Sequence, residues 1–342
     1  MAGGSEPISK AEYTTTTSAY DAVEGYTTPD GDEPTEEEKQ TLRKVSDKLP
    51  WSAFLVAVVE LCERFTYYGL SGVFQNYISN SYHDPNGLPG AIGLNQTGAT
   101  GLSNFFQFWC YVTPIGGAII SDQYLGKYWT IFYSAIIYIF GNLILFLTSL
   151  PVAIEHGAAL GGLVAAMIVI GIGTGGIKSN VSPLIAEQYQ HTKPYVRTEK
   201  SGERVIVDPA VTVQRIYMIF YLMINIGSLS SIATTEMEQR IGFWSAYLLP
   251  FLMFIVGFGV LLLGKNKYIV RPPRGSVIPQ AFKVIWIGLI NKGNLDAAKP
   301  EYQDELGGRR YDIKWDSVFV DELKRALVAC KVFLFYPIYW VV

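Results

Sequence analysis

One apolar segment near the beginning of the chain restricts the possible folds more than any other feature. Residues 51–78 are almost entirely apolar and are long enough to cross a bilayer as a helix. Within this segment Glu63 and Arg64 follow Glu60 by three and four residues. This spacing places all three side chains on one helix face. Because charge at bilayer depth is costly, such groups usually face a polar interior. The segment therefore predicts a membrane helix with one charged face.

This charged group has two interpretations. It can be a structural salt bridge that locks two helices together, or it can line a transport pathway, which intramembrane charge usually marks. A protonatable carboxylate beside a fixed cation suits an ion-coupled site, because the carboxylate can titrate while arginine stays charged. Arginine can also hold an anion through two parallel hydrogen bonds. The transport interpretation is the one that we favour.

Composition agrees with a polytopic membrane protein. Of the 342 residues, 49% are hydrophobic and only 17% are charged, against about 25% charged residues in soluble domains. The net charge of −3 gives no indication of nucleic-acid binding. Cys62, Cys110 and Cys330 all fall in apolar segments and are interpreted as small buried hydrophobes. We therefore predict no disulfide framework, no metal site and no cofactor.

The apolar runs predict an all-α membrane protein with four parts. The polar, threonine-rich residues 1–48 are predicted to be a disordered cytosolic tail. Residues 49–264 are predicted to form a six-span bundle, followed by a cytosolic linker at 265–325 and by an incomplete seventh span at 326–342. The end of the linker, residues 315–326, could form an amphipathic helix. The predicted spans are residues 51–78, 97–120, 128–150, 158–187, 213–235 and 243–264.

The distribution of basic residues predicts the orientation. With the N-terminus in the cytosol, almost all Lys and Arg residues of the tail and loops lie on the cytosolic side, and only Arg240 lies outside. The sequon Asn95-Gln96-Thr97 is then external, although it sits close to the second span.

Three further stretches carry polar residues at the spans. Asp122 and Lys127 flank a short turn, where they are either a gating pair or residues that set topology. The glycines of GIGTGGIKSNVSP at 171–183 fit a dinucleotide fingerprint, but a long apolar helix precedes them instead of a strand. We interpret these glycines as helix-packing residues. Lys178 either snorkels to the interface or serves the pathway, and Asn225 alone would be an interhelical hydrogen-bonding residue.

Together these stretches resemble the proton-dependent oligopeptide transporter family, a branch of the major facilitator superfamily. The resemblance rests on ELCERFTYYG at 60–69, GIGTGGIKSNVSP at 171–183 and FYLMINIGSLSSI at 220–232, in the family's order and spacing. The turn GAIISDQYLGKYWTI at 117–131 is similar to the superfamily's cytosolic motif, in which an acid and a base brace neighbouring helices. The fungal branch is the most similar one.

The resemblance implies roles for individual residues. It implies that Glu60, Glu63 and Arg64 form the proton and peptide-carboxylate group, and that Lys178 pairs with this group or with substrate. The positions that match peptide-contacting residues are Tyr68, Tyr111 and Asn225. Some animal members carry a histidine in the second span where this chain has Asn104, and His83, His156 and His191 fall in loops. Coupling would therefore rest on carboxylates.

The function that the resemblance implies is proton-coupled symport of di- and tripeptides across the plasma membrane. Its partners would be small peptides, protons and the lipid bilayer. Alternatives are the same fold carrying another solute such as nitrate, or a truncated non-transporting subunit. An intramembrane enzyme is disfavoured because no histidine lies within a predicted span. The family has twelve core spans in two halves, so we expect this chain to be the N-terminal portion, without the C-terminal bundle.

Overall fold

The computed structural model describes residues 33–85, 87–273, 275–305 and 315–336. These residues are mostly helical, with one small sheet. The elements in chain order are α1 Glu36–Thr41, β1 Lys44–Val45, α2 Trp51–Ser79, α3 Asn95–Ile120, α4 Lys127–Thr148, α5 Pro151–Glu155, α6 Ala158–Glu187, β2 Tyr195–Thr198, β3 Arg204–Val207, α7 Pro209–Ser228, α8 Ser230–Arg240, α9 Phe243–Leu263, α10 Ile278–Ile290, α11 Pro300–Glu305 and α12 Ser317–Cys330.

Four of the described helical segments are long and apolar enough to cross a membrane. They are Lys127–Thr148, Ala158–Glu187, Pro209–Arg240 and Phe243–Leu263. The two predicted spans that precede them, α2 and α3, have 29 and 26 residues and are long enough as well. Three charges reduce the apolar character of α2, and polar residues such as Asn104 and Gln107 reduce that of α3.

The fifth predicted span, 213–235, is longer than the sequence indicated. Helix α7 begins at Pro209 because the Asp208 side chain accepts a hydrogen bond from Ala210 N–H and caps it. Leu229, between α7 and α8, keeps a right-handed helical conformation, so the helical path continues to Arg240.

The chain divides into two compact units, and several boundaries between them fall within helices. The first unit comprises Met1–Thr100, Leu145–Leu160 and Val181–Ile269, and the second comprises Gly101–Ile144, Gly161–Asn180 and Val270–Val342. Glycines permit the close helix packing within each. In the first, a Cβ on Gly257 of α9 would lie 2.5 Å from Cys62 Cβ of α2. In the second, a Cβ on Gly175 of α6 would lie 2.6 Å from Thr113 Cβ of α3. This fits the predicted packing role of the glycine-rich stretch.

Residues 33–48 differ from the predicted disordered tail, because a helix cap, strand pairing and ion pairs order them. Thr35 and Glu38 form a reciprocal capping box at the beginning of α1. β1 pairs in parallel with β3, with Lys44 opposite Ile206, and β3 pairs antiparallel with β2. Arg43 lies 3.3 Å from Glu203, and Arg197 lies 3.2 Å from Asp47. The rest of the predicted tail, residues 1–32, lies outside the described residues.

The predicted linker is less polar and more structured than expected. α10 is a 13-residue apolar helix, too short for a span and therefore overlooked. Val284 and Ile287 of α10 form a small core with Ala297, Ala298 and Trp315, and Val320 of α12 completes it. α12 corresponds to the predicted amphipathic helix and begins where the Asp316 side chain caps Phe319 N–H. Cys330 is exposed at its end, so it is not the buried residue that we predicted.

The predicted seventh span is described only in part. A short 3₁₀ turn at Lys331–Phe335 follows α12. Residues 337–342, the remainder of the predicted span at 326–342, lie outside the described residues.

Candidate functional site

The charged residues of α2 form one buried cluster in the first unit. Arg64 Nε lies 3.2 Å from Glu60 Oε1, and Arg64 Nη2 lies 2.5 Å from Glu63 Oε2. Glu60 is 5% exposed, Glu63 0% and Arg64 7%, so the cluster is shielded from solvent. The helical spacing in the sequence predicted this shared face correctly. One guanidinium therefore serves two carboxylates at mid-helix.

Glu63 has an oxygen that the cluster does not satisfy. Its Oε1 atom is buried and accepts no hydrogen bond from any of the residues that the structure describes. Two ionised carboxylates with one guanidinium carry a net charge of about −1, which is costly at low dielectric. The cluster can therefore lower its energy by taking up a proton or by receiving a further positive group.

Gly227 of α7 allows the backbone of α7 to approach α2 at the cluster. A Cβ at Gly227 would lie 2.8 Å from Arg64 Cβ and 3.0 Å from Leu61 O, closer than ordinary contacts. Thr66, one half-turn beyond Arg64, donates through its hydroxyl to Cys62 O at 2.8 Å and to Pro250 O of α9 at 3.0 Å. These two small residues position the cluster between its neighbouring helices. Sequence reasoning assigned neither of them this role, although Gly227 lies in a motif that it quoted.

Aromatic rings extend the cluster along α2. Arg64 Cζ lies 5.3 Å from the centroid of the Tyr67 ring, within the range of a cation–π interaction. The ring of Tyr68 is half-buried and meets Tyr67 edge-on at 5.5 Å between centroids. Tyr67, which the sequence analysis did not select, is therefore the ring that contacts the arginine.

Lys178 and Tyr111 come together in the second unit. The Lys178 ammonium lies 3.8 Å from the centroid of the Tyr111 ring, and Tyr111 is 68% exposed. Thr113, one half-turn along α3, donates its hydroxyl to Gly171 O at 2.7 Å and so fixes α3 against α6. The structure thus joins two of the predicted substrate residues. The predicted pairing of Lys178 with the carboxylates of α2 stays a prediction.

Asn225 lies near the end of α7 with an exposed side chain. Its Nδ2 donates to Tyr221 O at 2.7 Å, which is a contact within its own helix. The contact with peptide that the resemblance implied for Asn225 stays a prediction.

The predicted gating turn follows α3 directly. Asp122 lies in a π-helical turn at Ser121–Leu125, and Lys127 is the first residue of α4. Gly126 between them has φ +75°, a left-handed conformation that favours glycine. Gly275 N–H donates to Asp122 O at 2.8 Å, so the start of the linker contacts this turn. A brace between the Asp122 and Lys127 side chains stays a prediction.

Comparison with known proteins identifies the relatives of this chain. The sequence profile of the POT family matches residues 128–342. Peptide transporter PTR_B of Candidozyma auris is 55% identical over 315 residues, which are 92% of this chain and 53% of that protein. Probable peptide transporter ptr2 of Schizosaccharomyces pombe is 53% identical over 308 residues, 90% of this chain and 50% of that protein. The chain therefore spans about half the length of these curated relatives.

The solved structures agree at the level of the fold. The in meso crystal structure of the POT family transporter PepTSo matches with a TM-score of 0.56 at 23% identity. The match covers 71% of this chain and 43% of that one. The expectation that the chain is not an enzyme is confirmed, because its family is one of transporters. The family profile matches more than half of the residues of this chain, and the curated relatives align with almost all of its length. This chain therefore belongs to the POT family of membrane transporters.

Proposed function

We propose that the whole protein that carries this chain is a proton-coupled symporter of di- and tripeptides. The observation that carries the proposal is the buried cluster on α2, in which Glu60 and Glu63 share the guanidinium of Arg64. Relatives that are 53–55% identical to this chain are named as peptide transporters, which supports peptide as the substrate.

The proton enters the cluster at a carboxylate. With both carboxylates ionised the cluster carries one excess negative charge, and binding of one proton removes it. Glu60 lies farther from the guanidinium than Glu63, at 3.2 Å against 2.5 Å. Because a weaker ion pair opposes protonation less, Glu60 is the proton carrier that we favour.

The peptide binds at the same cluster through its carboxylate. Once Glu60 is neutral, the guanidinium of Arg64 is less fully compensated and can hold an incoming carboxylate through two parallel hydrogen bonds. Proton and peptide then bind cooperatively, because each makes the other's site more favourable. The remaining substrate contacts that we propose are Tyr68, Tyr111, Lys178 and Asn225.

The architecture that we propose is the N-terminal six-span bundle of the major facilitator superfamily, in the plasma membrane with the N-terminus cytosolic. Helices α2, α3, α4, α6, the path α7–α8, and α9 are its spans. In transporters built from two halves the substrate site lies between them near the midplane, and alternating access comes from rocking of one half against the other. Asp122 and Lys127 would brace the cytosolic turn during this motion.

The experiment that tests this function separates coupling from peptide movement. In proteoliposomes the whole protein with Glu60→Gln should no longer accumulate dipeptide under a proton gradient, but it should still exchange dipeptide in counterflow. Glu155→Gln, which changes an exposed carboxylate of α5, is the matched control and should accumulate peptide normally.

Three outcomes would count against the proposal. Accumulation by Glu60→Gln when only a proton gradient is supplied would remove Glu60 from coupling. An unmodified protein that moves nitrate but no peptide would exclude peptide as substrate, and one that moves neither solute would favour a non-transporting subunit.

A further inference from the structure

A further buried carboxylate lies in the first unit, well separated along the chain from the two in the cluster on α2. Glu238, near the end of α8, is 3% exposed. It lines a cavity of about 280 Å³, whose wall also includes Tyr82, Pro89, Ser149 and Trp244. A volume of this size holds several water molecules, since each occupies about 30 Å³. Water can therefore reach the surroundings of a carboxyl group that is itself buried.

The two oxygens of Glu238 have different environments. Oε1 accepts a hydrogen bond from Asn76 Nδ2 of α2 at 2.6 Å. Oε2 is buried and has no hydrogen-bond partner among the residues that the structure describes. In a neutral carboxyl group Oε1 is then the carbonyl oxygen held by Asn76, and Oε2 is the hydroxyl that carries the proton.

The neighbouring helices α2 and α9 contribute tyrosines. Tyr247 of α9 interacts electrostatically with Glu238, and its buried hydroxyl also has no hydrogen-bond partner among the described residues. Tyr77 of α2 packs edge-on against Tyr247 at 5.3 Å between ring centroids. The surroundings of the carboxyl group thus include a second buried oxygen without a hydrogen-bond partner among the described residues.

The charged residues closest along α8 neutralise each other. Arg240 Nε lies 2.9 Å from Glu236 Oε2, and both side chains are exposed, at 79% and 57%. Arg240 lines the same cavity as Glu238 but is paired with Glu236, and the Glu238 carboxyl accepts its hydrogen bond from Asn76. An ionised carboxylate with one neutral donor in a buried site is unfavourable, because its charge is neither hydrated nor paired. Taking up a proton removes this cost.

We propose that Glu238 is a proton-binding site distinct from the cluster on α2, and that its neutral form holds the end of α2 against α8. The proton comes from water in the adjacent cavity and returns to it, so that a hydronium ion and a carboxylate become water and a carboxylic acid. Ionisation at alkaline pH places an uncompensated charge between Asn76 and Tyr247, and hydration of that charge separates the ends of the two helices.

This inference rests on the proposed function only for the side of the membrane that it senses. With the N-terminus cytosolic, the cavity lies at the external end of the bundle, and Glu238 then responds to external pH. The protonation itself requires neither peptide nor a gradient.

Infrared difference spectroscopy of the purified whole protein in lipid nanodiscs tests the protonation directly. At neutral pH the carbonyl stretch of a protonated carboxylic acid should lose one component in Glu238→Gln. The matched control Glu236→Gln changes an exposed, ion-paired carboxylate two residues away and should leave the band unchanged. Asn76→Ala should keep the band but shift it to higher frequency, because the carbonyl loses its hydrogen bond.

Thermal melting provides the second measurement. Between neutral and alkaline pH the wild-type midpoint should fall, whereas Glu238→Gln, a permanently neutral mimic, should lose much less. A band unchanged in Glu238→Gln, or equal alkaline sensitivity of wild type and Glu238→Gln, would overturn the proposal. Either result is independent of the Glu60→Gln transport test, so failure of one inference is distinguishable from failure of the other.

Discussion

Replacing Gly227 with alanine tests how closely α7 must approach the charged cluster of α2. The new methyl group would lie 2.8 Å from Arg64 Cβ, 2.9 Å from Phe65 N and 3.0 Å from Leu61 O. Two of these atoms belong to the backbone and cannot rotate away. The two helices must therefore separate at the level of Arg64, where the ion pairs with Glu60 and Glu63 are made.

The size of the effect follows from two opposing contributions. Overpacking in a tight interface costs about 1–3 kcal/mol, and contact with rigid backbone places this site in the upper part of that range. Replacing glycine by alanine within a helix stabilises the helix by up to about 1 kcal/mol. The net loss in the free energy of unfolding should be about 1–2 kcal/mol, together with reduced peptide uptake because Arg64 is displaced.

The assay is thermal melting of the whole protein in detergent, followed by uptake in proteoliposomes. Gly259→Ala in α9 is the matched control, because a Cβ at Gly259 meets no atom within 4 Å. Gly227→Ala should melt a few degrees below wild type, and Gly259→Ala should melt at or slightly above it. Equal midpoints for the two variants, with normal uptake by Gly227→Ala, would refute the close-approach argument.

The other predictions concern the cluster, the topology and the linker. Arg64→Lys should reduce peptide uptake about tenfold or more, because ammonium cannot reproduce the bidentate contact and a hydrogen bond to a charged group is worth about 1.5–3 kcal/mol; near-normal uptake would contradict a carboxylate clamp. A cysteine at Leu88 should react with an impermeant thiol reagent on intact cells and one at Lys200 should not, whereas reversed labelling would overturn the orientation. Hydrogen bonds from Lys324 and Lys299 lower the pKa of Asp296. The stabilisation by these ion pairs is therefore fully present at pH values above the ordinary aspartate pKa of about 3.9. It is lost as the pH falls through the lowered pKa of Asp296 in the folded protein. Hydrogen exchange at residues 295–298 should be faster in Lys324→Met than in wild type at neutral pH, and this difference should shrink under acid conditions; a difference independent of pH would contradict the ion-pair account.

Local periodicity predicted the features that depend on one helix. The spacing of Glu60, Glu63 and Arg64 defined their shared face, and the structure joins them in ion pairs. The long apolar runs located α2, α3, α4, α6, α7 and α9, with the greatest error at α7–α8. Their functional roles stay predictions, since geometry alone does not test them.

Features that depend on distant parts of the chain were not predictable from local patterns. The pairing of β1 with β3 joins residues far apart in sequence, and neither strand has enough residues to show alternation. The close contact between Gly227 and Arg64 depends on which helices become neighbours. Glu238 illustrates the same limit, because its burial and its contact with Asn76 follow from packing between α2 and α8.

The small sheet also constrains how many times the chain crosses the membrane. β1 precedes α2 and β3 follows α6, so Lys44 can pair with Ile206 only if both lie on the same side. An even number of crossings must therefore separate them, which agrees with the four spans α2, α3, α4 and α6 that we propose. During synthesis β1 cannot pair until β3 has been made. Arg43 and Glu203, which lie beside the two strands, are 160 residues apart in sequence. A molecule in which one intervening helix failed to insert would leave the two strands in different compartments. The sheet can therefore form only in molecules in which β1 and β3 have reached the same side of the membrane.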